Sequence, residues 1–298
     1  MSGKGMDGLD DDDDGDEAHS MRSHAPASAP HKQESVFLER LYASVGEHDG
    51  SRVVLALDFA WDGSGSAMVE RACSTIDALA GYICSVKINM HLLLPLSMDE
   101  IKHINGYAHS HGLPSIADIK LNDIPSTNTV AISHLADSNF DALTINPIIG
   151  PDALNDAICN AHSRGMGAIA LVYMSHRSAE GSYGMQVGRV EGKHGSSSRL
   201  YRVFLEWALA SHADGVVVGA TRPETIRECK SYMLGAYTHG YRPALFSPGS
   251  GAQGGDPSLA LNNGADYIIV GRSILYADDP VDEASRLAKI SSRPTTNR

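Results

Sequence analysis

Four charged side chains in this sequence sit where chemistry, rather than solubility, explains them. Asp58, Lys87 and Asp118 each stand in or just after a short apolar run: Val53–Leu57, Ser85–Val86 and Ser115–Ala117. Lys120 follows Asp118 by two positions, so in a strand both would point to one side. Two carboxylates and two ammoniums brought together form a formally neutral set. Each charge in such a set favours the ionised form of its neighbours. Buried charges are costly and contribute little stability, so four in one place argue for a site more than for a structural ion-pair network.

A second group suits an anion. The segment Ser247-Pro248-Gly249-Ser250-Gly251-Ala252-Gln253-Gly254-Gly255 is rich in glycine, and Gly271-Arg272-Ser273 follows the last apolar run. A glycine-rich loop exposes backbone N–H groups, Gln253 adds an amide, and Arg272 offers a planar fork of donors. Together these match a phosphate dianion.

Such residues need a scaffold that brings distant chain segments together. Apolar or β-branched runs recur at Arg52–Asp58, Tyr82–Ile88, Leu113–Ile119, Ala142–Asn146, Ala168–Tyr173, Gly215–Gly219, Ala244–Ser247 and Tyr267–Gly271. Gly, Pro, Asp or Asn punctuates each one. Helical patterns lie between them, including Ser66–Leu79, Met98–His111, Ser126–Ser138 and Leu200–His212. The runs end about 25 to 31 residues apart, apart from one gap of about 45 between the fifth and sixth. That is the period of a βα unit, and eight units in about 250 residues predict an α/β fold, a closed (β/α)8 TIM barrel. An open doubly wound sheet would carry a Gly-rich fingerprint after its first strand. Phe59-Ala60-Trp61-Asp62-Gly63 has none. In a barrel the chemistry gathers at the C-terminal ends of the strands, and the loops after the seventh and eighth commonly bind phosphate. The charged set and the Gly/Arg group both fall at those ends.

Composition narrows the function. The chain has 298 residues, 36 acidic and 24 basic, for a net charge of −12. This balance argues against a nucleic-acid partner held by phosphate neutralisation. Apolar runs such as Ala168–Tyr173 fall far short of the roughly 18 residues a membrane helix needs, which predicts no membrane partner. The first residues lack the apolar core of a secretory signal. Cys73, Cys84, Cys159 and Cys229 form no CxxC pair, which predicts reduced thiols, a cytoplasmic location and no metal centre. Residues 1–35 hold nine acidic and three basic residues, half of the net charge, and almost no large apolar side chain. They are expected to be a disordered acidic tail, with the barrel over 36–288 and a short C-terminal tail over 289–298.

The motifs resemble a known family. Asp118-x-Lys120-x-x-Asp123-Ile124, with Thr127 one helical turn on, is similar to the signature of the orotidine 5′-phosphate decarboxylases. So are the segments Ser247–Pro257 and Ile269–Ile274, with Leu57-Asp58, Val86-Lys87-Ile88 and Met174-Ser175-His176 in matching order. The pattern, from about Val53 to Pro280, resembles the archaeal and bacterial branch.

The resemblance implies a cofactor-free enzyme with a nucleotide substrate, making UMP in pyrimidine biosynthesis. Lys120 would protonate C6 of the pyrimidine, and Asp118 would stand beside the departing carboxylate. Lys87 and Asp58 would hold ribose hydroxyls and complete the charge network. Ser175 would contact the ring, Pro248 would line its pocket, and Gln253, Gly271 and Arg272 would grip the phosphate. Asp123, Ile124 and Thr127 would reach into a second subunit's site, which makes a homodimer the expected assembly.

Two departures stand out. Arg177-Ser178 replaces the usual Pro-Gly after His176, and Ala179–Arg199 is long and rich in Gly and Ser, which suits a mobile lid or a surface insertion. Asn89 stands where Gly is commoner. The related metal-dependent sugar-phosphate enzymes resemble one another in carrying Glu, a metal ligand, at the place of Lys87, and an ammonium there repels Mg2+. A non-catalytic barrel displaying the acidic tail is the other alternative, and the intact charge set argues against it.

Overall fold

The computed structural model describes residues 35–188, 197–237, 241–249, 251 and 254–292. The acidic tail expected over residues 1–35 lies, save Ser35, outside the described residues. Eight parallel strands close into a barrel: β1 (Val53–Ala56), β2 (Ser85–Asn89), β3 (Ser115–Leu121), β4 (Ala142–Ile145), β5 (Gly167–Tyr173), β8 (Gly215–Val218), β9 (Ala244–Pro248) and β10 (Tyr267–Val270). A small antiparallel hairpin, β6 (Gln186–Gly188) and β7 (Ser197–Arg199), lies in the long connection after β5. Closure pairs Val53 with Ile268 and Val54 with Ser85.

Helices α2 (Gly65–Leu79), α4 (Met98–Ser110), α5 (Pro125–Asp137), α6 (Pro151–Ser163), α7 (Leu200–Ala210), α8 (Pro223–Ala236), α9 (Pro257–Asn262) and α11 (Pro280–Ser291) follow the strands, with one-turn helices α3 (Met90–Leu93) and α10 (Arg272–Leu275). Their starts are written locally. Ser97 and Glu100 form a capping box on α4, and proline opens α5, α6, α8, α9 and α11. Helix α11 continues to Ser291 rather than ending at 288, and the Ser291 hydroxyl accepts the Arg52 N–H at 3.0 Å, so the fold runs beyond the expected boundary.

Helix α1 (Val36–Glu47) packs against β5. Its Phe37 is buried and stacks at 6.4 Å on Phe246 of β9. Gly167 makes room for it: a Cβ there would lie 2.6 Å from the Phe37 ring. Burying one such ring stabilises the fold by about 1.5–3 kcal/mol.

A repeated device joins the strand starts. Asp141, Asp214 and Asp266 immediately precede β4, β8 and β10. Each accepts an N–H from the neighbouring strand: Ser115 at 2.7 Å, Ala168 at 2.6 Å and Leu245 at 2.8 Å. Each also meets a base on the helix before that neighbour: His109 at 2.7 Å, His162 at 2.8 Å and Lys230 at 2.7 Å. Before β2 the same place holds Cys84, whose thiol donates to the Val53 carbonyl at 3.4 Å. The repeat ties strands in pairs at the end of the barrel opposite the mouth, leaving the C-terminal strand ends free to carry polar side chains.

Candidate active site

A cavity of about 420 Å³ opens at the C-terminal ends of the strands. Its floor is apolar, from Ile116, Ile169, Leu171, Val217, Phe246 and Ile269. Above that floor stand Asp58, Lys87, Asp118 and Lys120, and across the mouth lie Ser175, Pro248, Gly271 and Arg272. This size suits a small ligand, and an apolar base with a few convergent polar groups is the usual form of such a site.

The charge set is built around Asp118. Its Oδ2 receives Lys87 Nζ at 2.6 Å, and its Oδ1 receives Lys120 Nζ at 2.7 Å. Burial alone would raise the Asp118 carboxyl, but the two ammoniums outweigh it and hold the group well below the usual carboxylate range. Lys87 is rooted deep, with its side chain 6% exposed, whereas Lys120 is 38% exposed and is the ammonium that reaches the open cavity.

Lys120 and Asp118 meet as their spacing predicts, but not by plain strand alternation. The β3–β4 register shifts between Ala117 and Leu121, and Lys120 has φ +49°, left-handed for a residue with a side chain. That conformation costs roughly 1–2 kcal/mol and re-aims the side chain, as bulges beside active sites do. Thr144 of β4 fixes it. Its hydroxyl accepts the Lys120 N–H at 2.9 Å and donates to Asp118 Oδ1 at 3.0 Å.

Asp58 differs from the expected alternating network. It lines the same cavity, but its Oδ1 accepts from the Asn89 amide rather than from a lysine. Asn89 Oδ1 in turn accepts the His91 N–H at 2.9 Å and lies 2.7 Å from His91 Nδ1. The reason is position: Asn89 lies two residues beyond Lys87, on the same face of β2 and nearer the mouth. Gly271 completes the corner, since a Cβ there would come 2.9 Å from Asp58 Oδ2.

The glycine loop after β9 curls on itself. Gly251 N–H donates to the Gly255 carbonyl at 2.8 Å, and Gly249, Gly251 and Gly254 all have positive φ. Gly249, Arg272 and Ser273 face the cavity. Gln253 lies outside the described residues. Asp123, Ile124 and Thr127 are exposed at the start of α5 and do not line this cavity. Five polar side chains of the lining were not expected as site residues: Asn89, His91, Thr144, His176 and Ser273. A polar Thr144 inside the apolar run Ala142–Ile145 was the available signal for one of them.

The expected lid after β5 is a short turn, Arg177–Gly181, followed by the hairpin β6–β7. Residues 189–196 lie outside the described residues.

A closed barrel with a Lys–Asp–Lys triplet rooted in a buried Lys87, and an arginine at the same mouth, defines a (β/α)8-barrel enzyme for an anionic substrate. Comparison with known proteins narrows that class. Residues 51–287 match the sequence model of the Orotidine 5'-phosphate decarboxylase / HUMPS family. The orotidine 5′-phosphate decarboxylase of Thermococcus kodakarensis is 33% identical over 237 residues, covering 80% of this chain and 95% of that protein. The crystal structure of the Pyrococcus horikoshii orotidine 5′-phosphate decarboxylase superposes with a TM-score of 0.62 at 28% identity, over 81% of this chain and all of the other (100%). The enzyme of Methanocaldococcus jannaschii, solved with the inhibitor BMP, shares the fold with a TM-score of 0.65 at 23% identity, over 82% of this chain and 99% of that one. The chain belongs to the Orotidine 5'-phosphate decarboxylase / HUMPS family.

Proposed function

We propose that this protein decarboxylates orotidine 5′-phosphate to UMP, the closing step of pyrimidine nucleotide synthesis, without a cofactor. The observation that carries the reading is the Lys87–Asp118–Lys120 triplet set over an apolar floor, with Arg272 across the mouth.

The chemistry asks for these groups. When the C6–carboxylate bond breaks, its electron pair stays on C6, in the ring plane, where the ring π system delocalises it poorly. The protein must stabilise that charge electrostatically. The Lys120 ammonium does so and then transfers its proton to C6, forming the C–H bond, and solvent reprotonates the amine. Asp118, ionised, lies next to the substrate carboxylate and repels it more before CO2 departs than after, a difference that lowers the barrier. Lys87 and Asp58 hold the ribose hydroxyls. Ser175 and Pro248 bracket the ring, and Arg272, Gly271 and Gln253 take the phosphate. The phosphate's binding energy orients the reacting end from a distance.

The assembly is a homodimer with shared sites, and the location is the cytoplasm. Asp123, Ile124 and Thr127 belong to the partner's cavity. The support is the exposure of large apolar side chains at the start of α5 and within it, where Ile124 and Val130 are 63% and 55% exposed. The barrel from residue 36 through the end of α11 forms the catalytic unit, and removal of residues 1–35 leaves turnover intact.

Mixing the purified full chain with orotidine 5′-phosphate tests the reading. Loss of the orotate absorbance with release of CO2, unchanged in EDTA, is the expected result. No turnover, or turnover abolished by EDTA and restored by Mg2+, overturns it.

A further inference from the structure

The segment Met174–His176 forms one wall of the cavity, yet it follows the end of β5 and begins a long connection. Something must hold it. The structure supplies a brace on each side, and one of them converges on Glu180.

Glu180 lies in the turn Arg177–Gly181. Its Oε2 accepts the Tyr173 hydroxyl at 2.8 Å and pairs with Arg222 Nη1 at 3.1 Å, while its Oε1 accepts from Arg199 Nη1 at 3.2 Å. A single carboxylate therefore joins the end of β5, the returning strand of the hairpin and the loop after β8. Arg222 also lies 5.7 Å from the Tyr173 ring centre. Burial, and then the bond to Glu180, push the Tyr173 phenol up to about 12, so it stays a donor at neutral pH. Glu180 has a fitted seat: a Cβ on Gly184 would lie 2.7 Å from both its carbonyl and its Oε1.

The second brace grips Ser175 from the β8 side. Thr221 Oγ1 donates to the Ser175 carbonyl at 2.9 Å, and a Cβ on Gly219 would come 2.5 Å from Ser175 Cα. Thr221 and Arg222 are adjacent, so both braces end on the same two residues. The three links to Glu180 are separately weak, because the carboxylate is half exposed. Their value is geometric: they remove freedom from both ends of a three-residue wall.

We propose that Glu180 is a positioning residue for the reaction, holding Met174–His176 at the depth where Ser175 and His176 meet the pyrimidine, without touching substrate itself. The proposal rests on the decarboxylase reading given above. It predicts that losing Glu180 weakens capture of the nucleotide while the Lys–Asp–Lys chemistry persists. Interactions that order a wall before the ligand arrives lower the cost of binding.

The test is Glu180→Gln in the full chain, which keeps the shape but removes the charge and one of the two acceptors. KM for orotidine 5′-phosphate should rise about 5- to 10-fold with kcat held within about 3-fold. Hydrogen exchange over residues 174–184 should quicken in the absence of ligand. Tyr173→Phe, which removes one donor and keeps the ring, should move both readouts the same way by a smaller factor. Unchanged KM with unchanged exchange overturns the proposal. So does a fall in kcat at constant KM that tracks a loss of folded protein, because that marks a merely structural role. If the parent chain shows no turnover, the function reading fails on its own, while exchange still reports whether Glu180 braces the wall.

Discussion

The Thr144 hydroxyl accepts the backbone N–H of Lys120 at 2.9 Å, across the shifted register between β3 and β4. It therefore stabilises the left-handed backbone that aims the Lys120 ammonium, and its own proton goes to Asp118 at 3.0 Å. Thr144→Val keeps the volume and removes both bonds. The variant should lose about 1–3 kcal/mol of stability and about 10- to 100-fold in kcat, with a smaller change in KM. Denaturant titration and steady-state rates check this. Asp118 itself is held well below the carboxylate range. Its stabilising contribution is present above the unfolded value of about 4 and is lost only as pH falls through the lower folded value. The wild-type rate profile should accordingly show no acid limb from Asp118 in the neutral range.

Asn89 gives Asp58 a fixed orientation, because its amide donates to Asp58 Oδ1 while its carbonyl caps α3 through the His91 N–H. Asn89→Ala would free the carboxylate to turn toward solvent. If Asp58 serves the ribose, the loss falls on binding in ground state and transition state alike. KM should rise about 3- to 10-fold with kcat nearly constant, and weaker UMP inhibition should accompany it.

The barrel was legible because βα units leave a period of about thirty residues, and every expected run became a barrel strand. Asp58, Lys87 and Asp118 were legible because a charge inside or just after an apolar run is conspicuous. Thr144 was not, since threonine is an ordinary strand residue and only its partners across β3 reveal its task. Asn89 was visible as a departure, but its meaning depends on which way Asp58 turns. Lys120's positive φ has no local signature, because the shifted register is set by pairing with β4. Glu180 was hidden for a related reason: its three partners lie at 173, 199 and 222, and only the closed fold brings them together.

His162 and Asp214 belong to the end of the barrel away from the mouth, so they report stability without touching the chemistry. Burial alone would lower the His162 imidazole, but its hydrogen bond to Asp214, with that residue's charge, holds it above its ordinary value. A folded value above the unfolded one stabilises fully below about pH 6.5 and fades as pH rises through the folded value. The side chain is 38% exposed, so screening keeps the effect small. His162→Gln should lower Tm by about 1–3 °C at mildly acidic pH and by less at alkaline pH, with turnover unchanged. A larger loss at alkaline pH would mean that another interaction dominates this site.

Asp123 lies five residues after Asp118 yet faces outward, its Oδ1 accepting the Ile124 N–H at 2.7 Å and its backbone bracketed by the Asn128 side chain. An outward group held this firmly fits service to a neighbouring subunit better than service to its own cavity. In the proposed two-fold dimer each site would draw Lys120 from one chain and Asp123 from the other. Asp123→Asn and Lys120→Ala should each be nearly inactive alone. In a mixed dimer one site carries both damaged groups and the other carries neither. Random exchange of equal amounts should therefore restore about a quarter of the wild-type rate, since half of the dimers are mixed and half of their sites intact. Rates measured across mixing ratios should peak at equal amounts. Mixed dimers that form but stay inactive would place the function of Asp123 within its own chain.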